Sequence, residues 1–141
     1  MKFPELKKRH GKIKKMYWNL LSKIKNGYLA KKEKIMIPFS RLNFDILKIL
    51  KENGYINNVE RKIINKKNFL EIKLAYLNNK PAMSDFRLIS TPSRHIYKKY
   101  KELKPVKQGY GLGVISTSKG VMSSSDAFKN KVGGEYLFEI W

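Results

Sequence analysis

The chain is 141 residues long and carries 31 lysines and arginines against 11 acids, a formal net charge of +20. So large an excess of one sign repels itself in the compact state and points to a polyanionic partner, nucleic acid before an anionic membrane. There is no cysteine, which removes disulfides, thiolate zinc sites and thiol nucleophiles; the two histidines, His10 and His95, do not make a transition-metal site, and no run approaches the ~18 apolar residues of a membrane span.

Hydrophobic residues make up 42% of the chain, enough for one domain or two small lobes sharing an interface. Residues 1–15 form a basic extension without the apolar stretch of a secretory signal. Ile13, Met16, Tyr17, Leu20, Leu21 and Ile24 then recur at helical period, an apolar stripe that predicts the first helix. Asn26-Gly27 is its expected stop, since glycine readily takes the left-handed conformation past a helix end. Residues 34–37 read as a short strand ended by Pro38. A second helix starts with Ser40 as N-cap, with Phe39 and Phe44 placed as a hydrophobic staple, continues its buried face through Leu47 and Leu50, and ends at Gly54. Residues 55–64 look extended and residues 65–68 form a turn. In residues 69–77 Leu70, Ile72, Leu74 and Tyr76 face one way, as in a half-buried antiparallel strand.

Asn78-Asn79-Lys80-Pro81 is the expected boundary between an N-terminal α-β-α-β-β lobe, residues 1–80, and a β-rich C-terminal lobe, residues 81–141. Residues 86–90 and 95–100 look extended around a turn at Thr91-Pro92-Ser93, and Gly109 to Gly113 form a tight loop before Val114-Ile115. Ser116-Thr117-Ser118-Lys119-Gly120 is a polar loop between two short strands. Ser123 and Asp126 form a capping box for a short helix to about Val132; Gly133-Gly134 closes it, and residues 135–141 alternate as a final strand. The fold class expected is α+β, the N-terminal lobe packed on a β-rich lobe with one short helix.

No catalytic site assembles. Ser116-Thr117-Ser118-Lys119 has the spacing of an acyl-enzyme nucleophile, but the Ser-Asp-Asn and Lys-Thr-Gly elements that chemistry requires are absent. The glycines at 109, 111 and 113 do not have dinucleotide-binding spacing. Nothing calls for a cofactor or a small-molecule substrate. The residues do suit RNA. In Arg94-His95-Ile96-Tyr97-Lys98-Lys99-Tyr100-Lys101 cations interleave with rings, so that lysines can meet phosphate while a ring stacks on an unpaired base. Alternation separates Arg94, Ile96, Lys98 and Tyr100 from His95, Tyr97 and Lys99. Serine and threonine hydroxyls exchange hydrogen bonds with phosphate and with the ribose 2′-hydroxyl, which selects RNA over DNA.

The chain resembles the bacterial-type small-subunit ribosomal protein eight family, uS8. The resemblance runs through Ile24-Lys25-Asn26-Gly27, Leu50 to Ile56, Arg94 to Lys98, Gly109 to Gly113, and Ile115 to Met122 followed by Gly133-Gly134-Glu135. It implies direct binding to the central domain of small-subunit rRNA, support of its assembly, and contact with neighbouring small-subunit proteins, in a bacterial cytoplasm or in a mitochondrial or other organellar matrix. It also implies site residues. The hydroxyl loop maps onto Ser116, Thr117 and Ser118 with Lys119 and Gly120, the stacking tyrosine onto Tyr97 between Arg94 and Lys98, and the final-strand acid onto Glu135. Backbone-contacting cations map onto Lys31 and Lys32. Repression of translation through a messenger mimic of the rRNA site is the alternative use of the same surface. Residues 1–15 have no counterpart in the family, and its Arg-Pro-Gly turn appears here as Thr91-Pro92-Ser93-Arg94-His95.

Overall fold

The computed structural model describes residues 17–91, 93–104 and 111–141; the extension, Ile13, Met16, Pro92, Gly109 and Tyr110 of the sequence reading lie outside them. Helix α1 covers residues 17–29. Tyr17, Leu20, Leu21 and Ile24 are all buried, as the helical stripe requires. The helix does not stop at Asn26-Gly27 but continues beyond it. Gly27 is there for a close approach, because a Cβ on it would lie 3.0 Å from Ile35 Cγ2 and 3.1 Å from Leu74 Cδ1. The terminating residue is Lys31, at φ 55°. Its amide donates to the Tyr28 carbonyl and the Lys32 amide to the Gly27 carbonyl, the paired bonds of a Schellman ending.

Strand β1 (Lys34–Pro38), helix α2 (Arg41–Glu52), β2 (Ile56–Ile64) and β3 (Lys67–Leu74) complete the N-terminal unit. Ser40 caps α2 by accepting from the Asn43 amide, and the Phe39 and Phe44 rings meet at 6.0 Å between centroids. Gly54, at φ 82°, ends the helix with the same pair of bonds seen at Lys31. Strands β2 and β3 join through Asn65 and Lys66, both at positive φ, and the antiparallel sheet has the order β1-β3-β2. Leu70, Ile72 and Leu74 point into the core, but the alternation breaks before Tyr76. Tyr76 belongs instead to a small separate hairpin, β4 (Tyr76–Leu77) and β5 (Lys80–Pro81), turning at Asn78 and Asn79.

The second sheet comprises β6 (Phe86–Leu88), β7 (Tyr97–Lys98), β8 (Leu112–Thr117), β9 (Gly120–Ser123) and β10 (Gly134–Ile140). Its order is β6-β10-β8-β9, and β7 shares one edge of β10 with β6. Helix α3 (Ser124–Lys129) begins with Ser123 accepting from the Asp126 amide. It ends earlier than Val132, with Lys131 at φ 56° as its left-handed residue. Leu137 is an extra residue between paired Tyr136 and Phe138. That bulge turns Leu137, Phe138 and Ile140 all toward one core, which also holds α1, α2 and the inner face of the first sheet. Ile115, Ala127, Tyr136 and Leu103 form a second cluster on the other face, under α3. The architecture is α+β, and the two sheets are joined by a common apolar interior.

Candidate nucleic-acid interface

Strand β10 enters the sheet between β7 and β8, and this brings residues distant in sequence into register. Glu135 pairs with Tyr97 on one side and with Ser116 on the other, and Ser116 pairs with Val121. Directly opposed residues of an antiparallel sheet point to the same face, so Tyr97, Glu135 and Ser116 form one row. The next row, Lys98, Gly134, Thr117 and Gly120, points to the opposite face. Tyr97 is 70% exposed whereas Glu135 is buried. His95 joins the first row, its Nδ1 3.3 Å from Glu135 Oε2. Tyr97 and His95 therefore share a face, as their spacing predicts, and Lys98 is separated from them. Its Nζ lies 5.4 Å from the centroid of the Tyr136 ring, a cation–π contact on the far side.

The hydroxyl loop is a two-residue hairpin, Ser118-Lys119, closed by the pairing of Thr117 with Gly120. The three hydroxyls do not do the same thing. Thr117 Oγ1 accepts from the Lys119 amide at 3.1 Å and donates to the Gly120 carbonyl at 2.9 Å, so it braces the loop. The Ser116 and Ser118 hydroxyls make no hydrogen bond among the described residues, and Ser118 and Lys119 are exposed at the tip. Gly120, at φ 113°, takes a conformation that side-chain-bearing residues rarely adopt.

Two features lie behind the row, one not singled out in the sequence and one read there as a helix stop. Ser90 is buried; its Oγ donates to the Tyr136 carbonyl at 2.6 Å and accepts from the Ile96 amide at 3.0 Å. It thus ties the segment carrying His95 and Tyr97 to β10. Tyr17 donates to the Ser90 carbonyl at 3.0 Å, and burial together with nearby Glu135 pushes its phenol up to about 12. A serine in a short extended run gives no sequence signal for this role. The second feature is the glycine pair. Gly133-Gly134 does not close α3 by positive φ; it admits backbone. A Cβ on Gly134 would fall on the Ser116 carbonyl oxygen, and one on Gly133 would lie 2.5 Å from that of Lys98.

The remaining cations are dispersed. Arg94 is exposed, and its backbone pairs with Thr91 across the turn. Lys31 and Lys32 are exposed at the C-terminal end of α1, whereas Tyr17 at the other described end faces Ser90 and Glu135. A helix rises about 1.5 Å per residue, so the two lysines stand roughly 20 Å along the axis from the row. Among the described residues no three His, Asp or Glu side chains gather as a metal site, and no helix is long and apolar enough to cross a membrane.

This arrangement sets a ring, a buried carboxylate and the Ser116 hydroxyl in one row across three strands, with the Ser118 hydroxyl and Lys119 exposed at the neighbouring tip and no nucleophile–base pair among the described residues. The family model described as Ribosomal protein S8 matches residues 17–141. The small ribosomal subunit protein uS8c of Tupiella akineta is 41% identical over 125 residues, covering 87% of this chain and 95% of its own. The uS8 proteins of Borrelia turicatae (strain 91E135) and Erythrobacter litoralis (strain HTCC2594) are 41% and 37% identical, each alignment covering 87% of this chain and 94% of the relative.

Proposed function

The chain belongs to the ribosomal protein S8 family, a structural component of the small ribosomal subunit and not an enzyme, and from that premise we propose that it binds the central domain of small-subunit rRNA directly and supports assembly there. The observation that carries this reading is the row Tyr97–Glu135–Ser116, assembled from three strands beside the exposed Ser118-Lys119 tip. In this proposal Tyr97 stacks on an unpaired base. Glu135 accepts from a ribose hydroxyl or a base amino group, and Ser116 and Ser118 bond sugar and phosphate. Lys119 and Arg94 flank this site, Lys98 meets backbone from the opposite face of the sheet, and Lys31 and Lys32 contact backbone at a second point. These cations supply affinity by releasing counterions, while the row supplies discrimination.

The recognition surface lies within residues 81–141, so the proposed division near residue 80 separates a lobe that reads RNA shape from one that adds cations and protein contacts. Bacterial and plastid relatives support a ribosome of bacterial type, and we assign the chain to a bacterium or to an organelle such as a mitochondrion. Hydroxyl-radical cleavage of whole small-subunit rRNA tests the proposal. Protection is expected to concentrate in the central domain and to vanish for Tyr97→Ala combined with Ser118→Ala. Protection spread evenly over the rRNA, unchanged in the double variant, would overturn it.

A further inference from the structure

The β4–β5 hairpin is too short to hold itself, and tyrosine hydroxyls pin it. Tyr28 Oη accepts from the Ala75 amide at 3.1 Å and donates to the Tyr55 carbonyl at 2.6 Å, while Tyr76 Oη donates to the Lys32 carbonyl at 2.5 Å. The Tyr28 and Tyr76 rings meet edge-on at 5.3 Å. Between this fixed hairpin and the end of α1 runs a groove of about 300 Å³, lined by Lys25, Tyr28, Leu29, Lys80, Pro81 and Met83 with Ser84. Leu29 is 72% exposed beside it, and Leu77 on the same hairpin is 75% exposed. Leu29 in the lining of a preformed groove, with a second leucine exposed on the β4–β5 hairpin, offers apolar surface for an interaction.

Its lining holds two lysines and no acid. Lys25 is already joined to Asp85 at 2.9 Å, whereas Lys80 makes no ion pair among the described residues. Lys31 and Lys32, assigned above to RNA backbone, lie outside the lining, and its one available cation does not suit a nucleic-acid backbone. The walls are aliphatic, and the one lining ring, Tyr28, is buried and engaged edge-on, so no face is left for a base. An aliphatic side chain next to a carboxylate matches both the walls and Lys80. Resting on the reading of the chain as a small-subunit component, we propose that this groove docks a segment of a neighbouring small-subunit protein, inserting an aliphatic residue against Leu29, Pro81 and Met83 and pairing an Asp or Glu with Lys80.

Carbodiimide treatment of assembled small subunits tests it directly. The reagent activates a carboxyl, the Lys80 amine displaces the activating group, and an amide forms as the carbodiimide leaves as its urea. The expected product joins Lys80 to an acidic residue of a second protein. Leu29→Ser combined with Leu77→Ser should lower its yield roughly tenfold, equivalent to about 1.4 kcal/mol of docking, while affinity for an rRNA fragment stays unchanged. Lys80→Glu should reduce retention of that second protein in subunits that still contain this chain. Lys80 joined only within its own chain, an unchanged yield in the double variant, or rRNA photo-crosslinked into the groove would overturn the proposal. Because the readout is protein–protein, loss of the central-domain footprint would contradict the rRNA reading without touching this one.

Discussion

Each of the two larger sheets contains a buried acid, and their surroundings differ. Glu71, in the centre of the first sheet, has Lys62 Nζ at 2.6 Å from one neighbouring strand and Lys34 Nζ at 3.9 Å from the other. The hydrogen bond from Lys62, with Lys34 behind it, holds its carboxyl below the usual range despite partial desolvation. Glu135, at the start of β10, is met by the imidazole of His95 and stands beside Tyr17, in a row with a ring and a hydroxyl. On the proposed function, the contrast separates structure from recognition. A carboxylate clamped by lysines on a sheet face neutralises its own surface, whereas one framed by hydrogen-bonding and stacking groups is equipped to meet a ligand. Net charge alone, +20 across the chain, does not distinguish them.

The contrast can be broken most severely at its scaffold. Gly134→Ala should force β10 away from β8, because the new Cβ falls on the Ser116 carbonyl oxygen. We expect a loss of about 3 kcal/mol by urea denaturation together with loss of rRNA discrimination. Gly54→Ala, with open space around it but φ 82°, should lose only about 1 kcal/mol and leave RNA binding intact. Next come the acids themselves. Glu71→Gln should lower the melting temperature and spare RNA binding, since it removes an ion pair to Lys62. Glu135→Gln should spare most of the stability and reduce preference for the cognate RNA. If both variants behave alike in the two assays, the distinction between the sheets fails.

Acid sharpens the structural half of the comparison. Glu71 and Asp85, the latter hydrogen-bonded by Lys25 and by the Phe86 amide, both have carboxyls held below their ordinary values. A group depressed in the fold contributes stability that is complete above its unfolded value and is lost as pH falls through its folded value. Thermal stability should therefore decline from about pH 4 downward. Lys25→Met should weaken the part of that decline that comes from Asp85.

Smaller effects separate the hydroxyls. Ser118→Ala should weaken the cognate RNA by about 1 kcal/mol, leaving a random duplex unaffected and the fold unchanged. Thr117→Val should instead lower stability by about 1 kcal/mol, because it removes the brace between Lys119 and Gly120. Lys31→Gly is the mildest. Relieving a side chain at φ 55° should stabilise α1 by about 0.5 kcal/mol while removing one cation from the salt dependence of RNA binding.

Much of this was legible in the residues. The stripe from Tyr17 to Ile24, the Ser40 and Ser123 caps and the alternation from Leu70 to Leu74 are local signals, and each is present in the fold. Legibility ended where glycine serves a close approach instead of a turn. Gly27 and the Gly133-Gly134 pair look like helix stops, yet lysines take the left-handed positions and the glycines admit side chains or carbonyls from other strands. Tyr76 continues a period-two pattern in sequence, but the chain turns it out into a separate hairpin. At the site, the residue types pointed to RNA, but the register that aligns Tyr97, Glu135 and Ser116 depends on where β10 enters the sheet. Long-range pairing of that kind leaves no trace in local spacing, and neither does the cross-brace at Ser90.

The most direct test of the recognition row is titration of the full chain against a central-domain rRNA fragment and a length-matched random duplex over a salt series, with Tyr97→Ala beside the native protein. Our account predicts that the native preference for the fragment persists at high salt and falls in the variant, with parallel salt slopes. Affinities that are equal for both RNAs and collapse together with salt would contradict it, leaving a polycation without a reading face.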